Sequence, residues 1–299
     1  MAGERKWKGN TGGGSWGQRG LLFLFRLSGL RFVYLVMALV VPFYMLFSRG
    51  HSLAIYRYFR RRLGCSKARS FMNTYRNHFV FGQVILDRFA VFAGRKDLFQ
   101  LEIRGNEHFL RLLNGKKGFV IAGAHVGNFE IAGYLLHSGQ KRVNALVFPG
   151  ETRTVRQKRT EVLGNNNVRV IPVVEDMSHL FAVNAALQEG EIVSMPCDRH
   201  FGSTKSVTCD FLGGKADFPV GAFALATYLE VEVLAIFVVK AGAKKYIVHV
   251  KPVELSEMDT LTKREAIAAR GRAFAGELEA IVRQYPEQWF NYYAFWKDE

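Results

Sequence analysis

The chain has 299 residues, of which 49% are hydrophobic and 13% aromatic, and it carries a formal net charge of +15 at pH 7. A chain of this length and composition can bury a large hydrophobic core, which excludes an intrinsically disordered protein. The three cysteines are an odd number without paired spacing, so we expect a reducing, cytoplasmic setting rather than a disulfide framework. No His/Cys group has metal-ligand spacing, and we expect no metal and no cofactor.

Most of the positive charge lies in the first 70 residues, which contain thirteen Lys and Arg residues and one acidic residue, Glu4. Residues 1–18 are polar, basic and glycine-rich, and are predicted to form a flexible arm. Residues 19–65 are predicted to be a membrane-associated or transmembrane segment with a basic flank. The charge-free run from Phe32 to Ser48 is near the short limit of about 17 residues for a spanning helix, so both a spanning and a deeply interfacial helix fit.

Two other interpretations of this apolar run compete with a membrane helix. A secretory signal is disfavoured because Phe47 and Arg49 stand where a small-residue cleavage site would be, and because basic residues flank both ends. A buried core helix fits the run less well, since Pro42 interrupts it.

A cluster of basic residues follows the run at once, and it consists of Arg57, Arg60, Arg61, Arg62, Lys67 and Arg69. Such clusters attract anionic lipid headgroups. The positive-inside rule then places the following domain on the cytoplasmic side of the membrane. Nucleic acid is not an expected partner, because no recognition motif accompanies the basic residues.

Residues 66–299 are predicted to form one domain. A helical pattern over Lys67–Phe92 is followed by short apolar runs that alternate with helical segments. The strand-like runs are 118–122, 143–148, 168–173, 191–196, 233–239 and 246–250, and the helical patterns between them are 129–137, 153–163, 177–188, 220–229 and 263–283. This alternation predicts a layered α/β fold with a mostly parallel sheet, preceded by an N-terminal membrane helix.

The candidate catalytic residues lie between the first of these strands and the helix after it. His125 falls in the connecting turn, at the carboxyl end of the strand, where open α/β sheets bind their ligands. Glu130 falls in the first turn of the helix, where its carboxylate could orient the imidazole as a general base. Gly127 and Asn128 share the turn and are expected to contact the substrate. By itself the His-x-x-x-x-Glu pattern is weak, because a surface histidine beside a helix-start glutamate gives the same spacing.

Three later blocks add to this pattern, within residues 189–202, 211–226 and 286–290. With His125 and Glu130 they resemble the late acyltransferases of bacterial lipid A biosynthesis, in the lysophospholipid acyltransferase superfamily. The resemblance runs from about Arg19 to Lys297. It implies transfer of a fatty acyl chain from acyl carrier protein, or from coenzyme A, to a hydroxyl of a lipid A precursor at the cytoplasmic side of the cell inner membrane.

The resemblance also implies roles for individual residues. His125 would be the catalytic base and Glu130 its partner, in an acyltransferase domain of residues 66–299. Asp198 belongs to the second block, and Arg159 matches an arginine that would contact a phosphate or the oxyanion. Arg199 has no such match and could pair with Asp198, and both are expected near the substrate.

Alternatives remain open at this stage. The tail after Gln288 departs from the family pattern, so another acceptor, such as an aminoacyl lipid, a glycolipid or an aryl pigment, also fits. A cysteine-dependent hydrolase using Cys197 is a second alternative. A non-catalytic lipid-binding protein of the membrane surface is a third. A nucleotide-binding enzyme is disfavoured because no P-loop or G-x-G-x-x-G motif follows a strand.

Overall fold

The computed structural model describes residues 29–135, 139–147, 153–174, 176, 178–200, 205–255 and 261–298. The predicted flexible arm of residues 1–18 lies outside the described residues, as do residues 19–28 of the predicted membrane segment. The division of the chain into an arm, a membrane segment and one domain stays a prediction.

Three helices open the described chain. They are α1 (Leu30–Phe47), α2 (Arg49–Arg57), which continues into a π-helical turn (Tyr58–Arg62), and α3 (Lys67–Phe92). Helix α1 is long and apolar enough to cross a membrane, and it packs against α3. The side chain of Ser66 accepts a hydrogen bond from the backbone N–H of Arg69 at 3.3 Å and so caps the start of α3.

A seven-stranded sheet forms the centre of the domain. Its strands are β1 (Gln100–Arg104), β2 (Phe119–Gly123), β3 (Val143–Val147), β4 (Val168–Pro172), β5 (Ile192–Pro196), β8 (Val233–Lys240) and β9 (Lys245–Pro252). The spatial order is β1-β9-β8-β2-β5-β3-β4. Strands β2, β3, β4, β5 and β8 are parallel, whereas β9 runs antiparallel to β8 and β1 runs parallel to β9.

Helices cover both faces of this sheet, each face with its own hydrophobic core. They are α4 (Asn106–Asn114), α5 (Phe129–Leu135), α6 (Arg153–Gly164), α7 (His179–Gln188), α8 (Gly221–Tyr228) and α9 (Lys263–Gln284). The side chains of Thr262 and Glu265 form a capping box at the start of α9. The predicted α/β fold with a mostly parallel sheet is therefore confirmed.

A small hairpin outside the main sheet was not predicted. It consists of β6 (Ser206–Phe211) and β7 (Gly214–Pro219), joined by a two-residue turn. Both turn residues have positive φ, 50° at Leu212 and 75° at Gly213, which is the geometry of a tight hairpin. The backbone N–H of Leu212 donates to Glu279 in α9 at 2.6 Å, so a tertiary contact supports a conformation that leucine rarely adopts.

A buried ion pair ties the N-terminal helices to the sheet. Asp87 of α3 is fully buried and accepts hydrogen bonds from Lys240 and from the hydroxyls of Tyr34 and Tyr246. Lys240 also donates to the Tyr34 hydroxyl at 3.0 Å and to the Ala243 carbonyl at 3.2 Å. Burial raises the pKa of Asp87, and the nearby Lys240 charge opposes that shift. The network joins α1, α3, β8 and β9.

Removal of the lysine alone should destabilise the fold strongly. Lys240→Met leaves the Asp87 carboxylate buried without its cation, and breaking a buried pair in this way costs about 3–5 kcal/mol. The double variant Asp87→Asn/Lys240→Met should lose less stability than the single variant, since it buries no charge. Denaturant unfolding measures both free energies. Arg111→Met, which breaks an exposed pair with Glu232, is the control and should change the free energy of unfolding little.

Candidate active site

The register of two neighbouring strands brings His125 next to Asp198. Strands β2 and β5 are parallel, and their last residues, Gly123 and Pro196, are partners in the ladder. The N–H of Cys197 donates to the Gly123 carbonyl at 2.8 Å, which extends the pairing beyond both strands. His125 and Asp198 each lie two residues past these ends, so their side chains meet at the carboxyl edge of the sheet.

The Asp198 carboxylate uses both oxygens on His125. Oδ1 lies 2.8 Å from the imidazole Nδ1, and Oδ2 accepts the backbone N–H of His125 at 2.9 Å. The Asp198 side chain is 2% exposed, whereas the His125 side chain is 21% exposed. This geometry fits an imidazole that carries its proton on Nδ1 and points Nε2 away from the carboxylate. Within the described part of the chain, Nε2 has no hydrogen-bond partner, which leaves it available to a substrate.

Burial is the main cause that favours the neutral form of His125. Burial lowers the pKa of the imidazole, the Arg199 guanidinium lowers it further, and Asp198 opposes both. Burial raises the pKa of Asp198, but His125 and Arg199 together hold it below its usual value. At neutral pH the pair is therefore a neutral imidazole beside a carboxylate, which is the ionisation state that a general base needs.

The backbone of the turn that carries His125 is fixed from the opposite side by the C-terminal segment. The N–H of Gly127 donates to the Gln288 carbonyl at 2.8 Å, and the N–H of Phe290 donates to the His125 carbonyl at 2.9 Å. The Gln288 side chain in turn bonds both backbone groups of Lys240, at 2.7 and 2.8 Å. The block at 286–290 therefore holds the turn in place and connects it to the end of β8.

Gly127 is required by the same packing. Its φ is +58°, and a Cβ atom at this position would stand 2.1 Å from the Val238 carbonyl oxygen. The backbone of β8 thus occupies the space that a side chain would fill, and the expected contact of Gly127 with the substrate stays a prediction. Asn128 is likewise engaged within the protein: its Oδ1 accepts the N–H of Ile131 at 3.2 Å and its Nδ2 donates to the Tyr246 hydroxyl at 3.3 Å.

Glu130 does not hydrogen-bond to His125, and the predicted pairing of these two side chains is corrected. Its carboxylate accepts from Arg159 at 2.6 Å and from the Tyr134 hydroxyl at 2.5 Å, and Arg88 lies 3.7 Å away. Burial raises the pKa of Glu130, but Arg159 and Arg88 together lower it below its usual value. The physical reason is that Glu130, once in α5, faces α3 and α6, whereas the sheet register brings Asp198 to the imidazole.

The Arg199 guanidinium forms no ion pair with the Asp198 or the Glu130 carboxylate. It donates to the Phe290 carbonyl at 2.6 Å, and its guanidinium lies 5.8 Å from the centre of the Tyr293 ring. The Tyr293 hydroxyl donates to the backbone carbonyl of Asp198 at 3.2 Å. Arg199 therefore acts on the site through its charge and by binding the C-terminal segment.

Sequence reasoning missed Arg88, Tyr134 and Gln288 as site residues. The available signal for Arg88 was its position beside Asp87, since two adjacent charges on a largely buried helical stripe require partners inside the fold. Tyr134 lies one helical turn after Glu130 and gave no distinct signal. Among the residues that the structure describes, no group of three His, Cys, Asp or Glu side chains is arranged to hold a metal ion.

The model of one protein family matches this chain over residues 76–298, a range that contains every residue of the site above. The family is described as bacterial lipid A biosynthesis acyltransferase. The chain belongs to this family. It is therefore an acyltransferase from a membrane-associated family that acts in lipid A biosynthesis. A search of curated proteins found no match to the chain.

The charge of Arg199 should control the titration of His125 in this acyltransferase. Arg199→Gln removes a cation that lowers the pKa of the imidazole, so that pKa should rise, and activity should be lost at a higher pH as the solution is acidified. Asp198→Asn removes an anion and should shift the pKa in the opposite direction. NMR titration of the imidazole nitrogens measures both.

Two controls separate charge from structure in this titration. Arg199→Lys keeps the charge and should leave the His125 titration near that of the parent protein. Arg142→Gln removes an exposed arginine that pairs with Glu191 instead, and should change nothing. An unchanged or lowered pKa in Arg199→Gln would contradict the assignment.

Proposed function

We propose that this protein transfers a fatty acyl chain from the thioester of acyl carrier protein, or of coenzyme A, to a hydroxyl group of a lipid A precursor. The observation that carries the proposal is the buried Asp198 carboxylate at 2.8 Å from Nδ1 of a partly exposed, neutral His125. Such an arrangement suits a general base, which contributes about 10²–10⁴ in rate. The family match supports the choice of acyl transfer.

The proposed reaction has two proton transfers. Nε2 of His125 takes the proton of the acceptor hydroxyl while the oxygen of that hydroxyl attacks the carbonyl carbon of the thioester. The imidazolium so formed is stabilised by Asp198, to which it remains hydrogen-bonded. When the tetrahedral intermediate collapses, the C–S bond breaks and the imidazolium returns the proton to the leaving thiolate. The products are an ester and the free thiol of the carrier.

Glu130 is proposed as a positioning residue in this scheme rather than as the partner of the base. It connects α5, which begins just after the catalytic turn, to Arg159 of α6 and Arg88 of α3. We assign to Arg159 the contact with a phosphate or with the oxyanion that the family resemblance implies.

A thiol mechanism at Cys197 is disfavoured by its surroundings. The side chain is buried, and its Sγ–H lies 3.5 Å from the Met195 carbonyl as a weak donor. Burial and the adjacent Asp198 raise the pKa of the thiol, so the thiolate is scarcely populated at neutral pH. Cys197 acts as a small apolar side chain beside the site.

The proposed location is the cytoplasmic side of the cell inner membrane. The exposed basic residues of the segment before α3 favour contact with an anionic membrane surface. The apolar helix α1 adds an attachment that does not depend on charge. Both features support a position of the enzyme next to a lipid acceptor.

Substitution of the base and its partner should stop turnover without unfolding the protein. His125→Ala and Asp198→Asn should each lower kcat by about 10²–10⁴ fold. The first variant removes the base, and the second removes the carboxylate that keeps the imidazole proton on Nδ1. Cys197→Ala is the matched control, and it should retain most of the activity. The assay is transfer of a labelled acyl chain to lipid A precursors, with circular dichroism to verify folding. Full activity of His125→Ala, or an inactive Cys197→Ala, would refute the mechanism.

The acceptor is tested by the lipids of the cell. Mass spectrometry of total lipids with and without the gene should find one acyl group more on lipid A when the gene is present. A complementing copy with His125→Ala should not restore this group. If lipid A is unchanged and another lipid gains the acyl chain, the acceptor proposed here is wrong while the acyl-transfer chemistry stands.

A further inference from the structure

Helix α1 has one buried stripe and a broad apolar face that no described part of the chain covers. Leu30, Val33, Tyr34 and Val41 are buried. The exposed apolar residues of the helix include Phe32, Leu35, Leu39, Phe43, Leu46 and Phe47, which are 50–88% exposed. The helix thus joins the fold along one side and presents a large apolar surface on the other. Contiguous apolar surface of this extent marks a membrane or protein contact.

The buried stripe is fixed to α3 at successive points along α1. At its start, the Tyr34 hydroxyl donates to Asp87. In its middle, the Tyr75 hydroxyl donates to the Ala38 carbonyl at 3.1 Å. Near its end, the ring of Tyr44 lies 5.5 Å from the ring of His78. The two helices are antiparallel and packed side by side over most of the length of α1.

Pro42 explains why the middle of α1 needs the hydrogen bond from Tyr75. It has no N–H, so the Ala38 carbonyl four residues earlier lacks its normal helical donor. The hydroxyl of Tyr75, from α3, supplies the missing hydrogen bond. An isolated helix in hydrocarbon would leave this carbonyl unsatisfied. The sequence of α1 is therefore suited to a helix held against α3.

Helix α3 cannot follow α1 across a bilayer. It carries Lys67, Arg69, Arg76, Asp87 and Arg88, and the Arg76 side chain is 59% exposed next to the residue that contacts the middle of α1. A spanning orientation of α1 would bring the antiparallel α3 into the bilayer beside it, with Asp87 and Arg88 near one end of the pair and Arg76 near the other. It would also bring in the loop at Ala243, whose carbonyl accepts from Tyr34 at 3.2 Å, and loops of this kind do not face lipid in the hydrocarbon region.

We propose that α1 lies in the plane of one leaflet of an anionic bilayer, with its exposed face in the acyl-chain region and both of its ends on the cytoplasmic side. The charge around this face fits such an occupant. Arg57, Arg61, Lys67 and Arg69 are exposed just after α1, beside the exposed apolar side chains of Phe71 and Met72. Basic residues that flank an apolar helix face are the pattern of an interfacial helix.

This orientation brings the membrane close to the catalytic turn. The His78 ring, which contacts Tyr44 of α1, stacks on Tyr292 at 5.1 Å. Tyr292 stacks on Phe290 at 6.5 Å, and the N–H of Phe290 donates to the His125 carbonyl. Three aromatic rings therefore separate the lipid-facing helix from the base. A lipid acceptor could therefore reach the site while part of the lipid stays in the leaflet.

A spanning α1 would have its two ends on opposite sides of the membrane, whereas an α1 that lies in one leaflet has both ends on the same side. Gly29 precedes the helix and Gly50 follows it, and both positions have open space for a side chain. Gly29→Cys, Gly50→Cys and Lys244→Cys, each in a Cys65→Ser background, are reacted with a membrane-impermeant maleimide in spheroplasts and in inverted vesicles. All three should react only in inverted vesicles. Reaction of Gly29→Cys on the side opposite to Gly50→Cys would overturn the proposal.

Depth measurements provide an independent test and identify the occupant of the apolar face. Nitroxide labels at Leu35→Cys, Leu39→Cys and Leu46→Cys all lie on this face. In vesicles that contain phosphatidylglycerol, the three should show similar depths of about 5–10 Å below the headgroups. A spanning helix would instead place Leu39 close to the bilayer centre, several ångströms deeper than Leu35 and Leu46, because those two would lie about 16 Å apart along the helix axis and each nearer to a different membrane surface.

A second copy of the chain is the remaining competitor for this face. It would shield the three labels from both oxygen and a water-soluble nickel chelate, and would broaden the spectra by spin–spin interaction. That result would also overturn the proposal. Neither test measures acyl transfer, so their failure is distinguishable from failure of the proposed function.

Discussion

The buried carboxylate of Asp87 is the constraint on which the rest of the structure depends. A charge without solvent requires a cation and hydrogen-bond donors, and the fold supplies Lys240, Tyr34 and Tyr246 from three different elements. The N-terminal helix α1, the long helix α3 and the antiparallel strand pair β8–β9 are fixed relative to one another by these contacts. The same group thus determines where the apolar helix lies.

The network also reaches the catalytic turn. Tyr246, which donates to Asp87, accepts a hydrogen bond from Asn128, three residues after the base. Lys240 binds the Gln288 side chain through its backbone, and the Gln288 carbonyl binds the N–H of Gly127. The turn that carries His125 is therefore supported by residues that also hold α1. Preorganisation of this kind lets a base act without rearrangement.

Two buried carboxylates near the site have separate tasks because they have separate neighbours. Asp198 is paired with His125, so it determines the tautomer of the imidazole and opposes the lowering of its pKa by burial. Glu130 is surrounded by Arg159 and Arg88, so it stays ionised and joins the helices around the site. The lengths of the loops after β2 and β5 decide which carboxylate meets the imidazole, since both follow strands that end at the same edge.

The sequence alone determined the features that rest on local periodicity and composition. These include the α/β alternation, the position of His125 between a buried strand and a helix, and the apolar run that became α1. The N-terminal charge asymmetry and the resemblance in later blocks were equally readable. Such signals survive in a single sequence because neighbouring residues share one element, and each element buries one face.

Only the tertiary structure decided which side chains and which elements contact one another. The carboxylate that contacts His125 is 73 residues away in the chain, and strand register rather than sequence spacing brings it there. The antiparallel direction of β9 and the packing of α1 along α3 are likewise set by long-range contacts. Local patterns cannot encode them, because the free energy that selects them comes from burying the aromatic core and from pairing the buried Asp87 carboxylate with Lys240 and two tyrosines. These contacts form only when the whole chain is assembled.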